Sequence, residues 1–146
     1  MNITGYLRGE HRDCDEIFSD AERAVIDNSW EEAEKRFIEF SNETLSHFKR
    51  EEEILFPEFE KLTRSTEGPT RVMIFEHEQV RGLFAKMAEA IEEKKRDDYL
   101  SLSESMMILL QQHNMKEEQM LYAMCDRVIP EEEKDELISK MREISF

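Results

Sequence analysis

The chain contains four histidines, His11, His47, His77 and His113. Two of them open the same short pattern: His47 is followed by Glu51 and Glu52, and His113 by Glu117 and Glu118. On a helix, positions four apart lie on one face a single turn apart, so each His-x-x-x-Glu pair presents an imidazole and a carboxylate to the same neighbour. That donor set suits iron, manganese or zinc; without clustered thiolates it does not suit copper(I) or a sulfur cluster. Carboxylates arriving from two segments can bridge a pair of ions about 3.5–4 Å apart. Two histidines per ion and two bridging oxygens make four donors. An octahedral iron then keeps positions for an oxo or hydroxo bridge, water or a small gas.

Such a centre needs rods that deliver all six side chains to one depth. The sequence supplies four long amphipathic segments and a short tail. The first is expected from about Thr4 to Asp27. Asp27, Asn28 and Ser29 form the following turn, with Ser29 and Glu32 spaced as a capping box. The second segment passes His47 and is expected to end or kink at Pro57. Ser65 to Pro69 is the clearest break, with Pro69 suited to open a third helix reaching about Lys95. Asp97 and Asp98 open a fourth to Asp126, and a terminal helix covers about 130–143.

Apolar positions step by three and four along every rod, the pattern of inward-facing bundle seams. The first seam reads Leu7, His11, Cys14, Phe18, Ala21 and Val25; the second Ala33, Phe37, Phe40, Thr44, His47, Glu51 and Ile54. The third reads Met73, His77, Val80, Phe84, Met87 and Ile91; the fourth Met106, Leu110, His113, Glu117, Met120 and Met124. Every histidine lies on a seam. A repeat at an offset of 66 relates His11 to His77 and the His47 block to the His113 block. The expected fold is therefore all-α: an up-down-up-down four-helix bundle of two equivalent hairpins plus a short C-terminal helix, within a single domain over 1–146. At 1.5 Å per residue the four histidines fall within about 3 Å of one level.

Composition agrees with that plan. Thirty-five Asp and Glu against 20 Lys and Arg leave a formal charge of −15, which disfavours nucleic acid and anionic membranes as partners. Four Gly and three Pro are too few for a turn-rich β protein, and 39% apolar residues are too many for a disordered acidic tail. No apolar leader or membrane-length run is present, and Cys14 and Cys125 form no CxxC; a cytoplasmic location with reduced thiols is expected.

These residues together resemble the hemerythrin-like (HHE cation-binding) family. The resemblance rests on His11 in EHRDCDEIF, on His47-FKRE-Glu52 followed by ILFP, on His77 in EHEQVRGLF, and on His113-NMKE-Glu118 followed by MLY. It spans nearly the whole chain. It implies a di-iron centre ligated by His11, His47, Glu51, His77, His113 and Glu117, and a role in binding, sensing or reducing oxygen, nitric oxide or peroxide. Zinc or manganese could replace iron. Oxygen carriers of this family have a further histidine four residues from that on the third helix, where this chain has Met73 and Arg81, and a carboxylate at i+5 of the last helix, where this chain has Glu117 at i+4. The resemblance thus points away from reversible oxygen carriage. Iron storage, delivery or repair of damaged iron centres is the alternative, and a di-zinc hydrolase a more distant one.

Other residues carry blander expectations. Glu10, Glu52, Glu76 and Glu118 flank the seam histidines and are read as solvated or as acceptors for a histidine N–H. Asp15 is read as a surface charge, Cys14 as small buried filler rather than a ligand or oxidation switch. Met106, Met107, Met115, Met120 and Met124 are expected to pack in the core.

Overall fold

A computed structural model describes residues 1–145. Its elements are α1 (Ile3–Ile26), α2 (Trp30–Arg50), a wide π-helical turn π1 (Glu51–Leu55), α3 (Phe56–Thr63), α4 (Pro69–Glu92), α5 (Arg96–Lys116), a second wide turn π2 (Glu117–Leu121), α6 (Tyr122–Val128) and α7 (Glu131–Arg142). Among the described residues there is no strand. The segments α2–π1–α3 and α5–π2–α6 are continuous rods. With α1, α4 and α7 they make a five-rod helical bundle in which α1 packs along α2, α4 along α5, and the two pairs meet through α1–α5 and α2–α4.

The two halves turn in the same way. Asn28 and Lys94, 66 positions apart, both adopt left-handed backbone (φ 55 and 54). In each case the next residue's N–H reaches back to a helix carbonyl, Ser29 to Ala24 at 2.8 Å and Lys95 to Ala90 at 2.9 Å. The capping box expected at Ser29 does not form: its side chain makes no capping bond, while its carbonyl accepts from Ala33 at 2.8 Å.

Two further expectations need correction. Of the two outcomes expected at Pro57, the rod does not end there but continues to Thr63. In the turn before it the helix is already unwound, with the Phe56 N–H bonded to the Glu51 carbonyl five residues back. Proline is not the cause, because π2 has the same form at the equivalent positions without one. Each wide turn takes one extra residue and so advances the seam by one position. Past Glu117 the core line therefore passes to Leu121, Tyr122 and Cys125, which are buried, instead of Met120 and Met124. Of the five methionines expected in the core only Met106 is fully buried; Met107, Met115 and Met120 are exposed.

Two apolar clusters sandwich a polar layer. One gathers Phe18, Phe37, Phe40, Phe84, Met87, Tyr99 and Met106 toward the two short turns. The other gathers Ile3, Leu7, Leu55, Phe56, Phe59, Leu121 and Tyr122 with Ile138 and Met141 of α7. The terminal helix thus covers this chain's own bundle. It is tied there by Asp126, whose carboxylate accepts from the N–H groups of Ile3 and Thr4 at 2.8 and 3.0 Å and faces the buried Lys134 at 3.6 Å. An anion there satisfies donors that the first turn of α1 leaves without intrahelical partners. Asp126→Ala is expected to lower unfolding free energy by about 1–3 kcal/mol, because it strands those donors and leaves the buried Lys134 only Glu131, at 3.2 Å. Urea denaturation checks this, and an unchanged midpoint would contradict it.

Candidate metal centre

All six seam residues meet in the layer between the clusters, and each is buried. His11 comes from α1 and His47 from α2, with Glu51 opening π1; His77 comes from α4 and His113 from α5, with Glu117 opening π2. Donor atoms fall into two groups sharing Glu117. One consists of Glu51, His77, His113 and Glu117, the other of His11, His47 and Glu117. His77 Nε2 lies 3.2 Å from Glu51 Oε1, and His113 Nε2 lies 3.2 Å from Glu117 Oε1. His11 Nε2 lies 3.1 Å from both His47 Nε2 and Glu117 Oε1.

Every imidazole turns Nε2 inward because Nδ1 is held outside. Glu10 takes His47 and Glu76 takes His113, both at 2.8 Å. Glu52 takes His77 at 2.5 Å, and Glu118 takes His11 at 2.7 Å. The pattern obeys the repeat: the glutamate preceding a histidine on one rod of a pair holds the histidine of the other rod, and the second glutamate of each block reaches across to the opposite pair. A cation backs each carboxylate: Arg50 on Glu10, Arg81 on Glu52, Lys116 on Glu76 and Arg8 on Glu118. Of the two roles expected for these glutamates, holding a histidine N–H is the one observed; none is simply solvated. The cation partners had no clear signal in the sequence.

Electrostatics follow from this packing. Burial alone would push the His113 imidazolium down, but the Glu117 carboxylate carries its pKa up to about 9. His47 is held well above the ordinary range against the same burial, by the charge of Glu51 and the bond to Glu10. Glu117, which burial would raise, is held well below the usual carboxylate range, first by His113. Yet Glu51 Oε1, Glu117 Oε2, His77 Nε2 and His113 Nε2 are buried with no hydrogen-bond partner. Buried polar atoms are seldom left in that condition. Two carboxylates and four inward imidazole nitrogens, tethered from behind, are the donor chemistry of a cation site, and the orphaned atoms fit that occupant.

The hemerythrin HHE cation-binding domain model matches residues 2–125. The chain belongs to that family. Comparisons with curated proteins and with solved structures returned no match. The match ends at residue 125, so α7 lies outside it. The buried His/Glu cluster is a metal-binding site.

Tyr122 reaches the cluster, whereas Cys14 stays outside it. Tyr122 has a buried hydroxyl inside the cluster, 2.5 Å from Glu51 Oε2 and 2.9 Å from Glu117 Oε1. Its proximity could have been read from the repeat, since its counterpart is Phe56, immediately beyond the Glu51 block. Cys14 is half-buried, and it stands outside both donor groups with its thiol pushed up to about 11 by burial. Asp15 is exposed, as expected.

Metal binding requires neutral imidazoles, so an apoprotein whose His113 titrates near 9 must release protons on loading. Apparent metal affinity is expected to rise as pH rises from 6.5 toward 9, measured by chelator competition on chelator-stripped protein. The metal-free fold moves the other way. A histidine raised above its unfolded value contributes stability below pH 6.5 that is lost as pH climbs through the folded value, so melting temperature should fall over the same window. Glu76→Ala, which frees His113 Nδ1, is expected to weaken metal binding by about 10–100-fold.

Proposed function

We propose that this protein is a di-iron member of the hemerythrin family that binds, senses or reduces a small oxidant, namely oxygen, nitric oxide or peroxide. The observation that carries the reading is the convergence of four Nε2 atoms and two carboxylates in one buried layer, each imidazole locked from behind by a glutamate. In this reading His11 and His47 would hold one ion and His77 and His113 the other, with the carboxylates of Glu51 and Glu117 shared between them. The carrier is an up-down-up-down four-helix bundle, its four long rods alternating in direction, capped by the terminal helix.

When bound, the ion pair supplies one-electron redox chemistry and positions for an external ligand. The chain's own residues orient and protect it. The four tethered imidazoles keep their ring planes and tautomers, with Nδ1 carrying the proton and Nε2 free. Phe48, stacked on His77 at 3.7 Å, and Phe56 behind it exclude water from that half. A surface groove of about 630 Å³ bordered by Arg8, Asn114 and Glu118 lies beside the carboxylate that holds His11. Ligands no more than 5% exposed support retention of metal over its delivery to other proteins. The absence of the extra carrier histidine at Met73 and Arg81 supports redox or sensing over reversible carriage: Met73 packs in the apolar cluster and Arg81 pairs with Glu52. The proposed setting is the cytoplasm, with neither nucleic acid nor membrane as partner; among the described residues no helix is long and apolar enough to cross a membrane.

Metal analysis of protein purified with iron is expected to give about two ions per chain. His47→Ala and Glu117→Ala should each lose at least one ion while keeping the helical circular-dichroism signal. Optical and Mössbauer spectra of the iron form should change on addition of oxygen, nitric oxide or peroxide. Full metal content in both variants, or a spectrum indifferent to all three, would refute the proposal.

A further inference from the structure

The ligand set repeats at an offset of 66 with a single chemical exception inside the cluster: Tyr122 stands where the other half has Phe56. We infer that the Tyr122 phenol oxygen is a seventh donor to the centre, completing the half held by His11 and His47 and leaving external ligands to the half held by His77 and His113. The inference rests on the two-ion reading above and deepens it.

Geometry is the first argument. Donors that share one ion at bonds of about 2.0–2.1 Å and near-right angles stand about 3 Å apart. His11 Nε2 is 3.1 Å from His47 Nε2 and 3.1 Å from Glu117 Oε1. Tyr122 Oη lies at comparable spacing from all three, 3.3 Å from each nitrogen and 2.9 Å from Glu117 Oε1. The phenol oxygen therefore sits where a neighbouring ligand of the same ion would sit.

Donor count is the second. Four residues surround the His77 half, but only three surround the His11 half. Tyr122 adds an oxygen to that smaller group, and with both carboxylates shared between the ions it gives the His11 half one protein donor more than the His77 half. The orphaned nitrogens point the same way: His77 Nε2 and His113 Nε2 lack a hydrogen-bond partner, whereas Tyr122 contacts both Nε2 atoms of the other half. Across the layer Phe56 offers only a ring, 6.0 Å from His77.

The backbone explains how the oxygen arrives. Tyr122 is five residues beyond Glu117, and the intervening π2 turn is wide enough to set positions five apart on one face. The same turn that opens with a ligand carboxylate thus delivers the phenol beneath it. On binding a trivalent ion the phenol O–H bond breaks and an oxygen–metal bond forms. The proton leaves to solvent water, and no electron moves. Tyrosinate is an established ligand type for ferric iron in proteins, as in haem catalases.

The test uses the full chain loaded with ferrous iron and oxidised in air. The wild-type diferric protein is expected to show a visible phenolate-to-iron(III) charge-transfer band, with resonance-Raman phenolate ring modes that shift when tyrosine is ring-deuterated. Tyr122→Phe should retain two irons per chain but lose the band and those modes. Phe56→Tyr should add a second phenolate and about double the band if the halves share the geometry derived from their repeat. A two-iron wild type without phenolate modes, or a Tyr122→Phe variant with an unchanged spectrum, overturns the inference while leaving the two-ion reading intact. Fewer than two irons in the wild type overturns both.

Discussion

Everything in this molecule is arranged around two carboxylates, Glu51 and Glu117, that are fully buried. An unpaired charge in an apolar interior is among the least favourable things a fold can contain, and pairing offsets that penalty only when every remaining lone pair and proton is also satisfied. Here four imidazoles meet the two carboxylates, four glutamates hold the outer nitrogens, and Arg8, Arg50, Arg81 and Lys116 hold the glutamates. Charge therefore alternates in sign from the middle of the bundle to its surface. Such a chain of bonds cannot slide, which is why a layer of titratable groups coexists with two well-packed apolar clusters on either side.

The network also accounts for where the negative charge of the chain resides. Six glutamates of the −15 surplus belong to this layer and face cations or imidazoles rather than solvent. The C-terminal segment joins the same network from outside. Arg50, which supports Glu10 and through it His47, also donates to the Ile144 carbonyl at 3.0 and 2.8 Å from two of its nitrogens. Ile144, just past the end of α7 and beyond the family match, is thus one contact removed from the glutamate that orients His47.

Much of this was legible before any coordinates. Seam periodicity, the His-x-x-x-Glu blocks and the 66-residue repeat placed all six central residues, because side chains four apart must share a helix face and because histidines at one depth must meet. What misled the reading was phase. A strict three-four step carries Met120 and Met124 inward, but each wide turn adds one residue and so rotates every later position, bringing Leu121, Tyr122 and Cys125 to the core instead. The Ser29 box is a separate case: the Ser29 N–H closes the preceding helix on Ala24, and its side chain makes no capping bond.

Residue types and spacing along one chain dictate which groups share a face, and so they specified helices, repeat, level and the six residues of the buried His/Glu cluster. They say nothing about pairs that meet from different rods. The partners of the four outer nitrogens, the cations behind them, the lodging of Tyr122 between the carboxylates and the docking of α7 on its own bundle all depend on separations across the fold. Those contacts exist only after the rods have packed, because burial is what makes an unsatisfied charge intolerable and selects the neighbour that satisfies it.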